Sequence, residues 1–246
     1  MRYEELTIEG RNPVLEAFRA GKTVDRLFIL DGCQDGPVKS ILREAKKSDT
    51  IINFVKKERL DQLSETGKHQ GVIAYTAAYE YASVEDILQI AKDKGEPPFI
   101  IVLDNIEDPH NLGAMIRTAN QAGAHGIIIP KRRAVGLTAT VAKVSAGAIN
   151  YTPVAKVTNL VTTIEELKKE GLWFVCADMD GEVMYKLDLK GPIGVVIGSE
   201  GEGVGRLVKE KCDFIAKIPM LGNIDSLNAS VAMGVLSYEI VRQRMN

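Results

Sequence analysis

The chain has 246 residues, 45% of them hydrophobic and 26% charged, with 31 basic against 33 acidic side chains for a net charge of −2. That composition excludes a disordered or fibrous protein, leaves room for one large domain or two modest ones, and gives no overall attraction for a polyanion. The opening Met1-Arg2-Tyr3-Glu4-Glu5-Leu6 carries no apolar stretch after its basic residue, and no apolar run approaches the ~18 residues of a membrane span, so the expected location is the cytoplasm, away from any membrane. Cys33, Cys176 and Cys212 are odd in number and widely spaced, as expected of reduced cysteines used for packing, and His69, His110 and His125 lack metal-ligand spacing, so no metal is expected.

In chain order, Asn12-Pro13 reads as a helix start, a capping side chain followed by proline, opening a helix over Val14 to Arg19. Arg26 to Leu30 then reads as a strand, Val38 to Lys47 as a helix, Ile51 to Val55 as a strand, Glu58 to Ser64 as a short helix and Val72 to Thr76 as another strand. Ala77 to Tyr81 looks like a linker. Ser83, with the acidic Asp86 three residues on, starts a helix that runs to Lys94 and stops at Gly95. From Phe99 the alternation tightens. Strands are expected over Phe99 to Leu103, Gly126 to Ile129, Trp173 to Cys176, Ile193 to Ile197 and Phe214 to Ile218. Helices are expected over Asn111 to Ala122, Thr138 to Ser145, Thr163 to Glu170, Val204 to Lys211 and Asn228 to Arg242. Short apolar strands separated by helices imply an α/β fold with a mostly parallel sheet covered on both faces, which binds ligands beyond the strands' carboxyl ends.

Three stretches are over-specified for loops, and each follows a strand. The first runs from Asp104 through Asn105, Glu107, Asp108, Pro109, His110 and Asn111 to Gly113, leading to Arg117. The second is Ile197-Gly198-Ser199-Glu200-Gly201-Glu202-Gly203-Val204-Gly205, and the third runs from Ile218, Pro219 and Met220 through Asp225, Ser226, Leu227 and Asn228 to Ser230. The glycines of the second let backbone approach a ligand, or they simply make a tight turn. Arg206 stands where a dinucleotide fingerprint needs its third glycine, there is no Gly-Lys-Ser/Thr, and Glu200 and Glu202 would repel a pyrophosphate. A cationic cofactor without phosphates, such as S-adenosyl-L-methionine, suits the loop better. Asn111 and Arg117 are six residues apart, so within a helix their faces differ by roughly 120°. Either Asn111 lies in the preceding loop or the two serve different copies of the site. Ser226 or Asn228 can also be a plain cap for the last helix. Asp178-Met179-Asp180-Gly181 begins like a calcium loop, but Leu189 fills its twelfth position, so it reads as a turn. Lys46-Lys47, Lys56-Lys57 with Arg59, and Lys131-Arg132-Arg133 can each neutralise phosphates or form solvated faces.

Together the three stretches resemble the three motifs of the SpoU (TrmH) branch of the SPOUT methyltransferases, over Phe99 to the C-terminus. Glu9-Gly10-Arg11-Asn12-Pro13-Val14 and Lys68-His69-Gln70-Gly71 resemble the substrate-binding domain of the family's bacterial 23S rRNA guanosine 2′-O-methyltransferases. The resemblance implies a small α/β RNA substrate-binding domain over residues 1–77, a linker and connecting helix over 78–98, and a methyltransferase domain with a parallel sheet and a trefoil knot over 99–246. It implies S-adenosyl-L-methionine held by Ile197, Gly198, Ile218, Met220 and Leu227, and a catalytic set of Arg117, Asn111, Glu200, Ser226 and Asn228. It further implies RNA contacts from Arg11, Asn12 and Arg117, a homodimer, and large-subunit rRNA rather than DNA as the partner, since the reaction needs a 2′-hydroxyl. By motif Arg117 is a general base. A guanidinium costs on the order of 7 kcal/mol to neutralise at pH 7, so a phosphate clamp is the alternative role. The rival functions are tRNA 2′-O-methylation, non-catalytic RNA binding and, without a glycine fingerprint, nicotinamide-dependent oxidation.

Overall fold

The computed structural model describes residues 6–223 and 226–245. The opening segment before Leu6, and Asp225 of the third stretch, lie outside the described residues. Two compact units result: the chain up to Glu80 together with Gly136–Thr140, and Tyr81–Val135 together with everything from Val141 onward. No helix among the described residues is long and apolar enough to cross a membrane.

In the first unit, β1 (Leu6–Glu9), β2 (Val24–Leu30), β3 (Ile51–Val55) and β4 (Val72–Thr76) form one sheet in the order β1-β4-β2-β3. β2 and β3 run parallel, while β4 is antiparallel to both of its neighbours. The helices α1 (Arg11–Arg19), α2 (Gly36–Lys47) and α3 (Lys57–Leu63) connect them. α1 and α2 turn Val14, Val38 and Ile41 onto Leu27, Ile29 and Val72 of the sheet, all fully buried. α2 starts where the Asp35 carboxylate accepts from the amide of Val38, with Pro37 in its first turn. α1 starts differently from the sequence reading. Gly10 is its cap, at φ 90°, no side chain caps it, and Asn12 is already inside the helix.

The two motifs of this unit meet in space. The Glu9 carboxylate accepts from the hydroxyls of Ser64 and Thr66, each at 2.6 Å, and from the amides of Glu65 and Thr66 at 2.6 and 3.2 Å. Burial alone would raise its pKa, but these four donors hold it down at about 2. Arg11 pairs with Asp35 at 2.7 Å and donates from Nε to the carbonyl of Gln70 at 3.1 Å. Buried His69 lies 3.0 Å from Asp61 through Nε2, and its Nδ1 accepts from the Gly71 amide at 3.0 Å.

The second unit holds α4 (Val84–Lys94), β5 (Phe99–Leu103), α5 (Pro109–Gln121) and β6 (Gly126–Pro130) and, beyond the short α6 (Ala139–Val144), β7 (Val154–Val157), α7 (Leu160–Lys169) and β8 (Trp173–Val183). It continues with β9 (Ile193–Ile197), α8 (Arg206–Lys209), β10 (Phe214–Lys217) and α9 (Ala229–Arg244). The six strands form one wholly parallel sheet in the order β10-β8-β9-β5-β6-β7, as the alternating pattern leads one to expect. α4 and α7 cover one face, where Ile87, Ile164 and Leu167 meet Ile100, Val102, Phe174 and Val196. α4, which the sequence reading leaves in the connection between domains, is therefore part of this core. Its start is the expected one, a reciprocal capping box of Ser83 and Asp86, and Gly95 ends it in the left-handed conformation at φ 66°. α9 packs against β9 and α5. Cys176 and Cys212, distant in the sequence, come together in the core, and that contact and then burial push the Cys212 thiol well above its ordinary pKa.

Candidate active site

The three over-specified stretches leave the carboxyl ends of β5, β9 and β10. The glycine-rich loop after β9 folds back on itself. The Gly203 amide donates to the Ser199 carbonyl at 3.0 Å, and the Gly205 amide donates to buried Asp104, at the end of β5, at 2.8 Å. A side chain at Gly198 would put Cβ 2.0 Å from the Gly203 carbonyl carbon and 2.2 Å from the Val204 nitrogen. That glycine is required by the loop's own closure. Of the two readings of these glycines, the tight turn holds at Gly198. The helix after the loop is also shorter than expected, four residues from Arg206 to Lys209.

Asn111, Glu200 and Asn228, one from each stretch, converge in a single chain. The Asn111 amide donates to Glu200 Oε1 at 3.2 Å, and the Asn228 amide donates both to Asn111 Oδ1 at 3.0 Å and to the same Glu200 oxygen. Asn111 lies inside α5, which Asp108 caps, so the alternative of a loop-borne Asn111 falls. Asn228 does cap α9, its Oδ1 accepting from the amides of Ser230 at 2.9 Å and Val231 at 3.4 Å. Cap and cluster are both real: one end of the amide caps the helix while the other holds the cluster. Arg117 is exposed on α5, and its side chain forms no hydrogen bond or ion pair with Asn111, Glu200, Asn228 or any other described residue. Asn111 belongs to the cluster, whereas Arg117 on the helix's other face does not.

Beside the cluster lies a cavity of about 350 Å³, within the range of small-molecule sites. Ile197, Gly198, Ile218, Met220 and Leu227 all line it, as do Glu200 and Ser226. Ala177 to Asp180 line it too, and sequence reasoning missed them. The stretch read as a turn belongs to β8, whose pairing with β10 jumps from Cys176 opposite Ile215 to Glu182 opposite Ala216. The intervening residues bulge over the cavity. Gly181 permits this, since a Cβ there would lie 2.3 Å from the Ile215 carbonyl oxygen. The Asp178 carboxylate is held below its usual range despite its burial, because Lys209 pairs with it at 2.7 Å. Among the described lining residues stand four carboxylates, Asp178, Asp180, Glu200 and Glu202, and no lysine, arginine or histidine. Such a wall favours a cationic ligand and disfavours a phosphate.

Residues 98–238 match the model of the SpoU rRNA Methylase family, and residues 7–82 match that of the RNA 2′-O ribose methyltransferase substrate binding domain. YacO of Bacillus subtilis (strain 168), assigned to the TrmH family of tRNA/rRNA methyltransferases, is 50% identical over 236 residues, 96% of this chain and 94% of that one. The chain belongs to the SpoU methylase family, and is a methyltransferase of its SpoU/TrmH kind. Among solved structures, the SpoU methyltransferase AviRb from Streptomyces viridochromogenes, crystallised with the cofactor AdoMet, shares the fold at a TM-score of 0.61 and 24% identity, over 98% of this chain and 91% of that one. The A. aeolicus TrmH/SpoU tRNA modifying enzyme aligns at a TM-score of 0.55 and 29% identity, over 61% of this chain and 77% of that one.

Proposed function

We propose that the protein transfers the methyl group of S-adenosyl-L-methionine to the ribose 2′-hydroxyl of a guanosine in 23S rRNA, as a cytoplasmic homodimer whose catalytic domain carries a trefoil knot. The observation that carries this reading is the meeting of Asn111, Glu200 and Asn228 at the edge of a cavity whose described lining holds four carboxylates, one of them paired with Lys209 from outside, and no basic side chain. The cavity's size and anionic wall fit a sulfonium ligand with an ammonium group and no phosphates. Bound there, S-adenosyl-L-methionine supplies an activated methyl group. Ile197, Ile218, Met220 and Leu227 give it apolar contact, and the self-closed loop at Gly198 fixes the wall. Asn111 and Asn228 hold the Glu200 carboxylate at the site's edge, where it orients the ribose.

Arg117 serves the site of the partner subunit and grips the phosphate beside the target ribose, the fork of its guanidinium matching two phosphate oxygens. Val231 and Tyr238, 49% and 51% exposed on one face of α9, support a self-complementary dimer surface there. The path of α9 supports the knot: from β10 at the sheet's edge the chain returns to pack against β9 and α5. The first unit supports an RNA substrate, because a model of RNA 2′-O ribose methyltransferase substrate binding covers it, and the choice of 23S rRNA rests on the resemblance of Glu9 to Val14 and Lys68 to Gly71 to the rRNA-directed members. The test is methyl transfer from labelled S-adenosyl-L-methionine to transcripts of 23S rRNA and of tRNA. Label in an alkali-resistant dinucleotide of 23S rRNA alone is expected. Label in tRNA alone, or on a base, overturns the reading.

A further inference from the structure

The carboxyl ends of β5 and β6 and the chain after β7 open on a second cavity, of about 390 Å³, which the methyl-transfer reading does not use. Arg132, Arg133 and Arg206 line it, with Asn105 and the half-exposed Leu207. Arg132 and Arg133 are exposed, and neither makes a hydrogen bond or ion pair with another described residue. Among the described residues Arg206 pairs only with Glu210, at 2.6 Å and with the arginine side chain 78% exposed, a contact readily exchanged for a better anion. The one carboxylate in the described lining, Asp104, is buried and engaged by the Gly205 amide.

The rim is also held in place. The loop carrying the arginines is anchored at both ends, by the Lys131 amide donating to the Val157 carbonyl at 2.8 Å and the Val135 amide donating to the Ile106 carbonyl at 2.9 Å. Asn105 and Arg133 sit at φ 58° and 54°, and a left-handed arginine persists only where its surroundings impose it. The glycine-rich loop walls both cavities: residues 197–203 line the first and 205–208 the second. The two cavities therefore share one wall.

We propose that this arginine-lined cavity holds a backbone phosphate of the RNA strand whose ribose is methylated, with Arg132 and Arg133 as positioning residues. The inference rests on the RNA-methylation reading above and adds to it where the strand lies. Phosphate chemistry is also offered by free phosphate or a mononucleotide, and the experiment separates these sources.

Full-length R132A/R133A and R132K/R133K proteins are compared with wild type for methyl transfer to the 23S rRNA transcript, for RNA affinity at several salt concentrations, and for calorimetric binding of S-adenosyl-L-methionine. In the alanine variant the KM for RNA should rise about tenfold with kcat within about twofold, and the slope of log affinity against log salt should fall by roughly 1 to 2. Cofactor affinity should not change, which also reports that the unit is folded. The lysine variant should stay within about threefold of wild type, because it keeps the charge that neutralises the phosphate. Unchanged KM and salt slope in the alanine variant overturn the proposal, as does a lysine variant as impaired as the alanine one. Inorganic phosphate or guanosine monophosphate binding that the alanine variant loses, with RNA parameters intact, assigns the cavity to a free anion and also overturns it. If wild type itself transfers no methyl group to RNA, the failure belongs to the functional reading and not to this cavity.

Discussion

The side-chain amide of Asn228 donates to Oδ1 of Asn111, 117 residues earlier in the chain, at 3.0 Å, while Oδ1 of the same Asn228 accepts from the amides of Ser230 and Val231 in the first turn of α9. One residue thus fixes the start of the last helix and joins the first and third motifs across Glu200. The two duties separate by substitution. Asn228→Ala loses both, and should cost about 1 kcal/mol of stability along with most activity. Asn228→Asp keeps the capping oxygen but sets a carboxylate against Glu200, so it should melt near wild type while methyl transfer falls by about 10²-fold. Thermal melts and methyl-transfer rates check this, and equal activity of wild type and Asn228→Asp would contradict the assigned cluster.

The glycine-rich loop makes a prediction about position. Gly198→Ala brings a methyl group against the Gly203 backbone, whereas Gly201, with open space at its Cβ and no left-handed φ, accepts alanine. Calorimetry should show cofactor affinity lost by at least about tenfold in Gly198→Ala and unchanged in Gly201→Ala, since the first clash must shift backbone. Comparable affinities in the two variants would place the cofactor elsewhere.

Glu9 ties the first strand to the loop at Ser64 to Thr66, and its pKa is lowered from 4.5 to about 2. A depressed carboxyl contributes stability that is present above its unfolded pKa and lost as pH falls through the folded one. Glu9→Gln should therefore destabilise the protein by about 1 kcal/mol at pH 7, with the gap to wild type closing between about pH 4.5 and 2. Denaturant unfolding at pH 7 and pH 3 tests this. A gap that does not narrow would mean Glu9 acts through packing alone.

Local signals were legible in the sequence and non-local ones were not. Ser83, Asp86 and Gly95 announce both ends of α4 because capping is settled within one turn of helix. β1 and β7, four residues each, escape detection because their existence depends on pairing with β4 and β6, which no local pattern reports. The extension of β8 past Cys176 escapes for the same reason: Asp178, Asp180 and Gly181 look like a turn, and only β10 and Lys209 make them a bulged strand. Asn111, Glu200 and Asn228 were all legible as candidates. That they bond to one another, and that Arg117 stands apart, needed the fold, because helical phase separates Asn111 from Arg117 only once both are known to lie in one helix.

In the proposed homodimer, that separation predicts a shared site. Arg117→Ala and Asn228→Ala homodimers should each be nearly inactive. Unfolded and reassembled in equal amounts, about half the dimers are mixed, and each mixed dimer has one site with both lesions and one with neither, so activity should return to roughly a quarter of wild type. No recovery, with mixed dimers confirmed by mass spectrometry, would show that each site takes both residues from one chain.

The central claim, methyl transfer to one ribose of 23S rRNA by the Asn111–Glu200–Asn228 site, is tested most directly by mapping ribose 2′-O-methylation in total RNA from cells lacking the protein. The cells are complemented with wild type or with Asn228→Ala. One 23S guanosine should lose its 2′-O-methyl group in the deletion, regain it with wild type and stay unmodified with Asn228→Ala. A full set of 23S methyl groups in the deletion, or a loss confined to tRNA, would contradict the account.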